Sequence, residues 1–367
     1  MRCSGPMRSA KLVTTWVVYP FLWLLRPNAE PRLDWEHVES RWVAPEEVPA
    51  HKTVPGLRDV LASVYPLDIV DSALELQADR THGARQLAAQ AVARLAERIE
   101  SFPDLPATQL LTRAKLAGQR LALARPTMVA IANAISAYIE RLAQTDVATP
   151  TTLKRQARAL ARAVLREQEH AAEKLARHAR PLLRGRILTL SYSSTVIAAL
   201  KAARPDEVVV CESRPLFEGR TTARELASAN IPVTLVSDAV GPSLVQDVDC
   251  VVVGADSILP NGDVVNKAGT YGLALAARAN GKPFYVLAES VKVASPALVP
   301  LVSAEVHDPS ELWDAPPAHV TPRNVYFDRT PARLVARYVT ERGQIERARL
   351  GDLARDHQKR YVALFTV

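Results

Sequence analysis

Five short apolar runs constrain the fold of this chain more than any other feature. They are ILTL (187–190), EVVVC (Glu207–Cys211), VTLV (Val233–Val236), DCVVVG (249–254) and PFYVL (283–287). None alternates apolar with polar residues, as a strand with one wet face would, so each reads as a strand buried on both faces. Helix-like segments open between them near Ser194, Gly219, Pro242 and Gly269. Strands of this kind separated by helices predict a parallel sheet covered on both sides, a doubly wound, Rossmann-like α/β fold.

In such sheets ligands bind outside the carboxyl ends of the strands, where the strand order reverses. Polar residues cluster at those ends here: Ser191 and Ser193 after ILTL, Glu212 and Arg214 after EVVVC, and Asp238 after VTLV. Asp256 follows the fourth run, and Glu289 and Lys292 follow the fifth. Polar groups delivered by five strands to one rim exceed what loops need for solubility.

The rest of the chain divides into two parts. Residues 67–183 are helical by periodicity, with breaks at SFPDLP (101–106) and TDVATPTT (145–152). Residues 1–66 are rich in Trp, Pro and Val and read as short strands and loops, with a short helix after Pro55. The apolar run at 12–25 is interrupted by Pro20 and falls short of the roughly 20 residues a bilayer span needs. It reads as a buried strand, and no membrane partner is expected. The expected organisation is therefore a strand-rich segment over 1–66, a helical domain over 67–183 and the α/β domain over 184–367.

A formal net charge of +7 favours anionic partners without identifying them. The stretch 153–186 is notably basic, but its charges are not interleaved with stacking aromatics, so a solvated helix face is expected rather than a nucleic-acid surface. Cys3, Cys211 and Cys250 have no paired spacing. Neither a disulfide framework nor a zinc site is suggested, and a reducing, cytoplasmic setting follows. No metal or cofactor is expected. Cys211 alternates away from Glu212 and reads as core.

The densest motif is GADSILPNGDVVNKAGT (254–270). Asp256 stands where a hydrophobic strand meets the crevice, a position that favours a raised pKa and a proton-donating role. The motif turns through Pro260-Asn261-Gly262 and is expected to enter a helix near Lys267 to Thr270, which would put Asn266 and Lys267 at a helix start, where a phosphate meets backbone N–H groups.

This motif, with ESRP (212–215), AESVK (288–292), FDRTP (327–331) and VTERGQI (339–345), resembles the superfamily of the regulatory subunits of translation initiation factor 2B and the sugar-1-phosphate aldose–ketose isomerases. Its enzymes include methylthioribose-1-phosphate and ribose-1,5-bisphosphate isomerases. The resemblance implies a catalytic pair made by the Asp of GAD, here Asp256, and a cysteine after the first strand of the α/β domain, whose position Ser191 occupies. The initiation factor subunits also tend to have Ser-Tyr-Ser there. It further implies substrate binding by His82, Gly83, Ala84 and Arg85 in RTHGAR, by Arg125 in an Arg-Pro-Thr turn, by Ser193, Ser194 and Thr195, and by Glu212, Asn266, Lys267 and Lys292. In the bisphosphate isomerase an arginine precedes Gly-Ala, where this chain has His82. A histidine at a helix start is also a common cap or packed ring.

Residues 19–61 resemble the carboxyl half of a Nudix hydrolase domain. The metal-binding Nudix helix is absent, so no nucleoside diphosphate hydrolysis is expected. Two functional readings stay open: an isomerase of a sugar 1-phosphate or ribose 1,5-bisphosphate, or a metabolite-sensing or assembly subunit in which the same crevice binds without turnover. Both imply a phosphorylated small molecule as partner and a homodimer or larger homo-oligomer. The geometric expectation is that Ser191, Glu212, Asp256 and Lys292 line one crevice, faced by Arg125 or the turn at 80–85.

Overall fold

A computed structural model describes residues 69–366 apart from 80–81, 146–148 and 303–305, together with short pieces of the first 68. In those pieces β1 (Met7–Arg8) pairs antiparallel with β2 (Val17–Val18). The remainder of the expected strand at 12–25, and most of the stretch read as Nudix-like, lie outside the described residues.

Alanine and leucine at helical spacing produce α1 (Ile69–Ala78), α2 (Ala84–Ser101), α3 (Ala107–Ala122), α4 (Val129–Ala143) and α5 (Pro150–Ala179). On α2 the buried Leu87, Ala88, Ala91, Val92, Leu95 and Ile99 recur every three or four residues and form one stripe. Both breaks read from the sequence separate helices. Pro106 precedes α3, and Thr149 caps α5 by accepting a hydrogen bond from the Thr152 N–H at 3.3 Å, with Pro150 in the first turn. Tyr138 donates to Ala157 O at 2.9 Å and pins α4 to α5; burial pushes its phenol well above the ordinary range. The basic face of α5 is solvated: Arg155, Arg158, Arg162 and Arg166 are exposed, while Leu153, Ala157, Ala161 and Val164 face the core.

From residue 186 strands and helices alternate. β3 (Arg186–Leu190), α6 (Ser194–Ala203), β4 (Glu207–Cys211), α7 (Glu218–Ser228) and β5 (Val233–Val236) come first. Then follow β6 (Cys250–Val253), β7 (Ser257–Ile258), β8 (Val264–Lys267), α8 (Thr270–Ala279) and β9 (Phe284–Leu287). The chain continues through β10 (Val306–His307), β11 (Asn324–Val325), β12 (Phe327–Thr330), β13 (Arg337–Thr340), β14 (Gly343–Ile345) and α9 (Arg347–Phe365).

Seven strands form one sheet in the order β14-β13-β9-β6-β3-β4-β5, parallel except for the β13–β14 hairpin. Both faces are covered, as the unbroken apolar runs require. Leu188, Val209, Val251 and Val286 pack towards α8 and α9, whereas Ile187, Val208, Val210 and Val252 pack towards α5 and α6. A smaller antiparallel sheet, β12-β8-β7, lies between this sheet and the helices, and its Val265 and Phe327 belong to the helical core.

One local expectation is corrected. Asn266 and Lys267 do not start a helix; they end β8, in register with Asp328 and Phe327 of β12. Val264 and Val265 favour a strand, and Gly269 at φ 106° delays the helix until Thr270. The segment opening near Pro242 is a 3-10 helix, Gly241–Asp247, held against the sheet where a Cβ on Gly241 would come within 2.5 Å of Cys211 Sγ.

The helices are fastened to the α/β part through Asn133 of α4. Its side-chain amide, 2% exposed, donates to Val291 O at 2.7 Å and to Val293 O at 2.8 Å. Replacement by alanine removes this donor from the buried Val293 carbonyl, at a cost of about 1–3 kcal/mol, and from the half-buried Val291 carbonyl, at a smaller one. Asn133→Ala is therefore expected to lower the urea midpoint clearly; an unchanged midpoint would show that the fastening is made elsewhere.

Candidate functional site

The strand order reverses at β3. Its neighbour β4 leads outward to β5, while β6 on its other side leads through β9 to β13. The loops after β3 and β6 therefore leave adjacent strands in opposite directions and open a crevice between them. Ser191 follows β3, and Asp256 follows β6.

Ser191 has φ 62°, in the left-handed region that a non-glycine residue seldom adopts. Two bonds hold it there: its N–H donates to Ser213 Oγ at 2.6 Å, and its carbonyl accepts from Thr222 Oγ1 at 2.7 Å. Backbone fixed this firmly in a sparsely populated region is a mark of functional loops. Gly254 lies so close to the start of α6 that a Cβ would come within 2.8 Å of Ser193 Oγ. Only glycine lets the end of β6 meet the cap of α6.

A cleft of about 630 Å³ opens over this point, lined by His82, Gly83, Arg125, Ser191, Asp256 and Lys267 among others. A second cavity of about 40 Å³ shares Gly83, Ser191, Tyr192 and Asp256 with it and adds Arg85, Ser193, Ser194, Asn266 and Lys292 among others. In the small cavity α2 begins at Ala84 and α6 at Ser194, so the positive ends of two helix dipoles face it. Arg85 reaches from α2 to donate to Ser194 Oγ at 3.0 Å. Lys292, 5% exposed, stands 3.8 Å from Glu289 Oε2. Hydroxyls, helix N-termini and two cations in so small a volume suit an anion.

The large cleft is more balanced in charge and partly aromatic. Lys267 Nζ lies 2.6 Å from Glu218 Oε1 and 4.3 Å from the centre of the Tyr326 ring, a cation–π contact in a desolvated setting. His82 bonds Asp79 through its backbone N–H at 2.8 Å and through Nδ1 at 2.7 Å, and Arg125 donates to Asp79 O at 2.8 Å. The histidine thus both fixes the turn ahead of α2 and lines the cleft.

Two residues expected at the site lie elsewhere. Thr195 is buried and donates to Glu289 Oε1 at 2.7 Å, so it supports the wall behind Lys292 without reaching either cavity. Glu212 faces Arg220 at 3.2 Å on the outer side of the loop after β4 and lines neither cavity. The crevice thus unites Ser191, Asp256 and Lys292 with Arg125 and the 82–85 turn, but not Glu212. Sequence reasoning missed Glu218, Met128, Tyr192, Leu216 and Tyr326, which line the large cleft. Tyr192 and Glu218 sit at helix starts beside the motifs, Leu216 directly follows ESRP, Met128 directly follows the Arg-Pro-Thr turn, and Tyr326 directly precedes FDRTP.

Cys211 is core, 2% exposed, with its thiol pushed up to about 12 by burial and then by Asp238. Among the described residues no cluster of three or more His, Cys, Asp or Glu is placed to hold a metal, and no helix is long and apolar enough to cross a membrane.

The fold and crevice define a class: a doubly wound α/β protein with a helical layer in front and a cation-lined site at the switch point. The chain belongs to the Initiation factor 2 subunit family, whose pattern matches residues 80–347. It is 34% identical over 302 residues to a methylthioribose-1-phosphate isomerase of Chloroflexus aurantiacus, covering 75% of this chain and 86% of that protein. It is also 34% identical over 299 residues to a ribose 1,5-bisphosphate isomerase of Haloterrigena turkmenica, covering 75% and 89%. Among solved structures, the translation initiation factor eIF-2B of Pyrococcus horikoshii superposes with a TM-score of 0.63 at 31% identity, covering 75% of this chain and 96% of that one.

Asp328 lies on β12 next to Phe327, which lines the large cleft. Its carboxylate accepts from the N–H groups of Gly269 at 2.7 Å and Tyr271 at 3.1 Å, capping α8. Burial raises its pKa to about 6, against the lowering effect of those N–H groups. With an unfolded value of about 3.9, the folded state binds more protons between pH 4 and 6. This group's contribution to stability is therefore fully present below pH 4 and lost as pH rises through 6. Asp328→Asn is expected to flatten that slope in denaturation measured across the interval; an identical slope would exclude Asp328 as its source.

Proposed function

We propose that the crevice binds a sugar 1-phosphate of the ribose type and that the chain is an aldose–ketose isomerase, the activity for which its relatives are named, with candidate substrates including ribose 1,5-bisphosphate. The observation that carries this reading is the meeting of Asp256 and Ser191 where the small cationic cavity joins the large cleft. A phosphate in the small cavity would meet Arg85, Lys292, Ser193 and Ser194. The sugar would then extend past Asp256 towards Lys267 and Tyr326. No metal or cofactor is part of the reading. The division at 66 and 183, a cytoplasmic setting and association of two or more copies belong to it as well. The last is supported by the open edge of β5, where Leu235 and nearby Val240 are exposed.

Isomerisation of a sugar 1-phosphate breaks the bond between C1 and the ring oxygen, takes a proton from C2 and returns one to C1, while the C2 hydroxyl proton passes to the freed ring oxygen, so it needs a base with a pKa near the working pH. In this reading Asp256 serves as acid and base, and Ser191 stands where the family's enzymes carry a thiol. A thiol near about 8.5 can be tuned into range, whereas a serine hydroxyl is too weak a base without a partner of its own. Ser191 therefore holds a hydrogen bond to substrate and slows turnover. The same residue favours a second reading, a binding subunit without turnover.

Incubation with ribose 1,5-bisphosphate and with methylthioribose 1-phosphate separates the two. A ligand specific to the folded state at a hundredfold excess over Kd stabilises it by about 2.7 kcal/mol, so a clear rise in melting temperature is expected, blunted in Lys292→Ala. Wild-type turnover is expected to be slight, increased in Ser191→Cys and abolished in Asp256→Asn. Robust wild-type turnover that survives Ser191→Ala would overturn position 191 as the cause of slow turnover. Binding with no turnover in any variant would establish the non-catalytic reading, and an equal shift from sulfate would reduce the crevice to a general anion pocket.

A further inference from the structure

Lys292 sits in a 3-10 turn, Ser290–Lys292, that begins three residues past β9. A single turn of this kind is weakly held by its own bonds, the Lys292 and Val293 N–H groups donating to Glu289 O and Ser290 O at 2.9 and 3.1 Å. Additional support comes from residues more than fifty positions further along the chain. Glu341, in the turn between β13 and β14, accepts from the Ser290 N–H at 2.9 Å and also from the Ser290 hydroxyl. His357 of α9 points Nε2 at Ser290 O at 3.1 Å, and since a carbonyl only accepts, this nitrogen carries the proton. Ser290 is 7% exposed and His357 is equally buried, so solvent cannot readily replace these partners.

We infer that Glu341 is a positioning residue for Lys292: by holding both donors of Ser290 it fixes the turn that aims the ammonium group into the small cavity. The parallel pairing of β13 with β9 brings this about, because the end of β13 must lie beside the end of β9. The inference assigns a role to the VTERGQI motif that catalysis and direct ligand contact leave unused. Arg342 lies 3.6 Å from Glu341 and steadies its charge from the solvent side. Thr195 holds Glu289 from the other flank, so the residues on both sides of the turn's start are anchored. The consequence for affinity rests on the proposed phosphate site, whereas the consequence for Lys292 itself does not.

The test therefore has two independent readouts. In the unliganded protein, acylation by a limiting amine-reactive ester, read at each lysine by mass spectrometry, reports how well Lys292 is held. Loss of a charge-assisted bond in Glu341→Ala is expected to raise Lys292 labelling roughly tenfold, with a smaller rise in Glu341→Gln and no change at exposed Lys174. For ligand affinity, Glu341→Ala should weaken ribose 1,5-bisphosphate by about tenfold in calorimetry, and Glu341→Ala combined with Lys292→Ala should bind no more weakly than Lys292→Ala alone. Unchanged Lys292 labelling in a folded variant overturns the inference, as do losses that simply add. Should the alanine variant fail to fold, the glutamine variant carries the same comparison. Labelling that rises in a protein with no affinity for either sugar phosphate would overturn the proposed ligand and leave the positioning role standing.

Discussion

The reversal of strand order at β3 is the constraint on which the rest depends. A parallel strand can take its successor on only one side, so β4 and β5 fill one flank of β3 and β6, β9 and β13 the other. Helices then cover opposite faces, and the loops at the carboxyl ends of β3 and β6 must part. Every polar residue at the crevice is reached from that gap. Ser191 and Asp256 come from the two parting loops, and Lys292 arrives one strand further out. The helices in front close the opening with His82, Arg85 and Arg125.

Placing cations in this gap has an electrostatic consequence that shapes its second layer. Lys267 and Lys292 are each about nine-tenths buried or more, and a buried charge without a counter-ion is strongly destabilising. Each therefore stands beside a carboxylate, Glu218 for Lys267 and Glu289 for Lys292. Their geometries differ. The Lys267 pair is tight and roofed by an aromatic ring, whereas the Lys292 pair is looser at 3.8 Å, with the other Glu289 oxygen taken by Thr195. The crevice is thus neutralised at its aromatic end and more weakly compensated at its small end. That difference, with two helix N-termini at the small end, gives the site its polarity.

The corrected placements of Asn266, Lys267 and Glu212 share a cause. Asn266 and Lys267 resembled a helix start because glycine and threonine follow them, but pairing with β12 claimed those residues first. Glu212 follows an apolar strand just as Asp256 does, yet it pairs with Arg220, and the same stretch after β4 sends Leu216 and Glu218 into the large cleft instead. Position after a strand is a local property. Direction relative to the crevice is not.

Residue pattern alone determined the α/β class, the five core strands to within a residue or two, the helical stretch with two of its four breaks, and the motif around Asp256. Each of these rests on burial periodicity or turn chemistry, which act over a few positions. Family resemblance, rather than pattern, pointed to His82, Arg85 and Arg125 as partners of that motif. Only the tertiary structure decided that Thr195 and Glu212 stay out of the cavities, that Met128 and Tyr326 enter, and that Glu341 and His357 grip the turn bearing Lys292. Those contacts join residues far apart in the chain, and their pairing is set by strand order and helix packing, which no short window of sequence encodes.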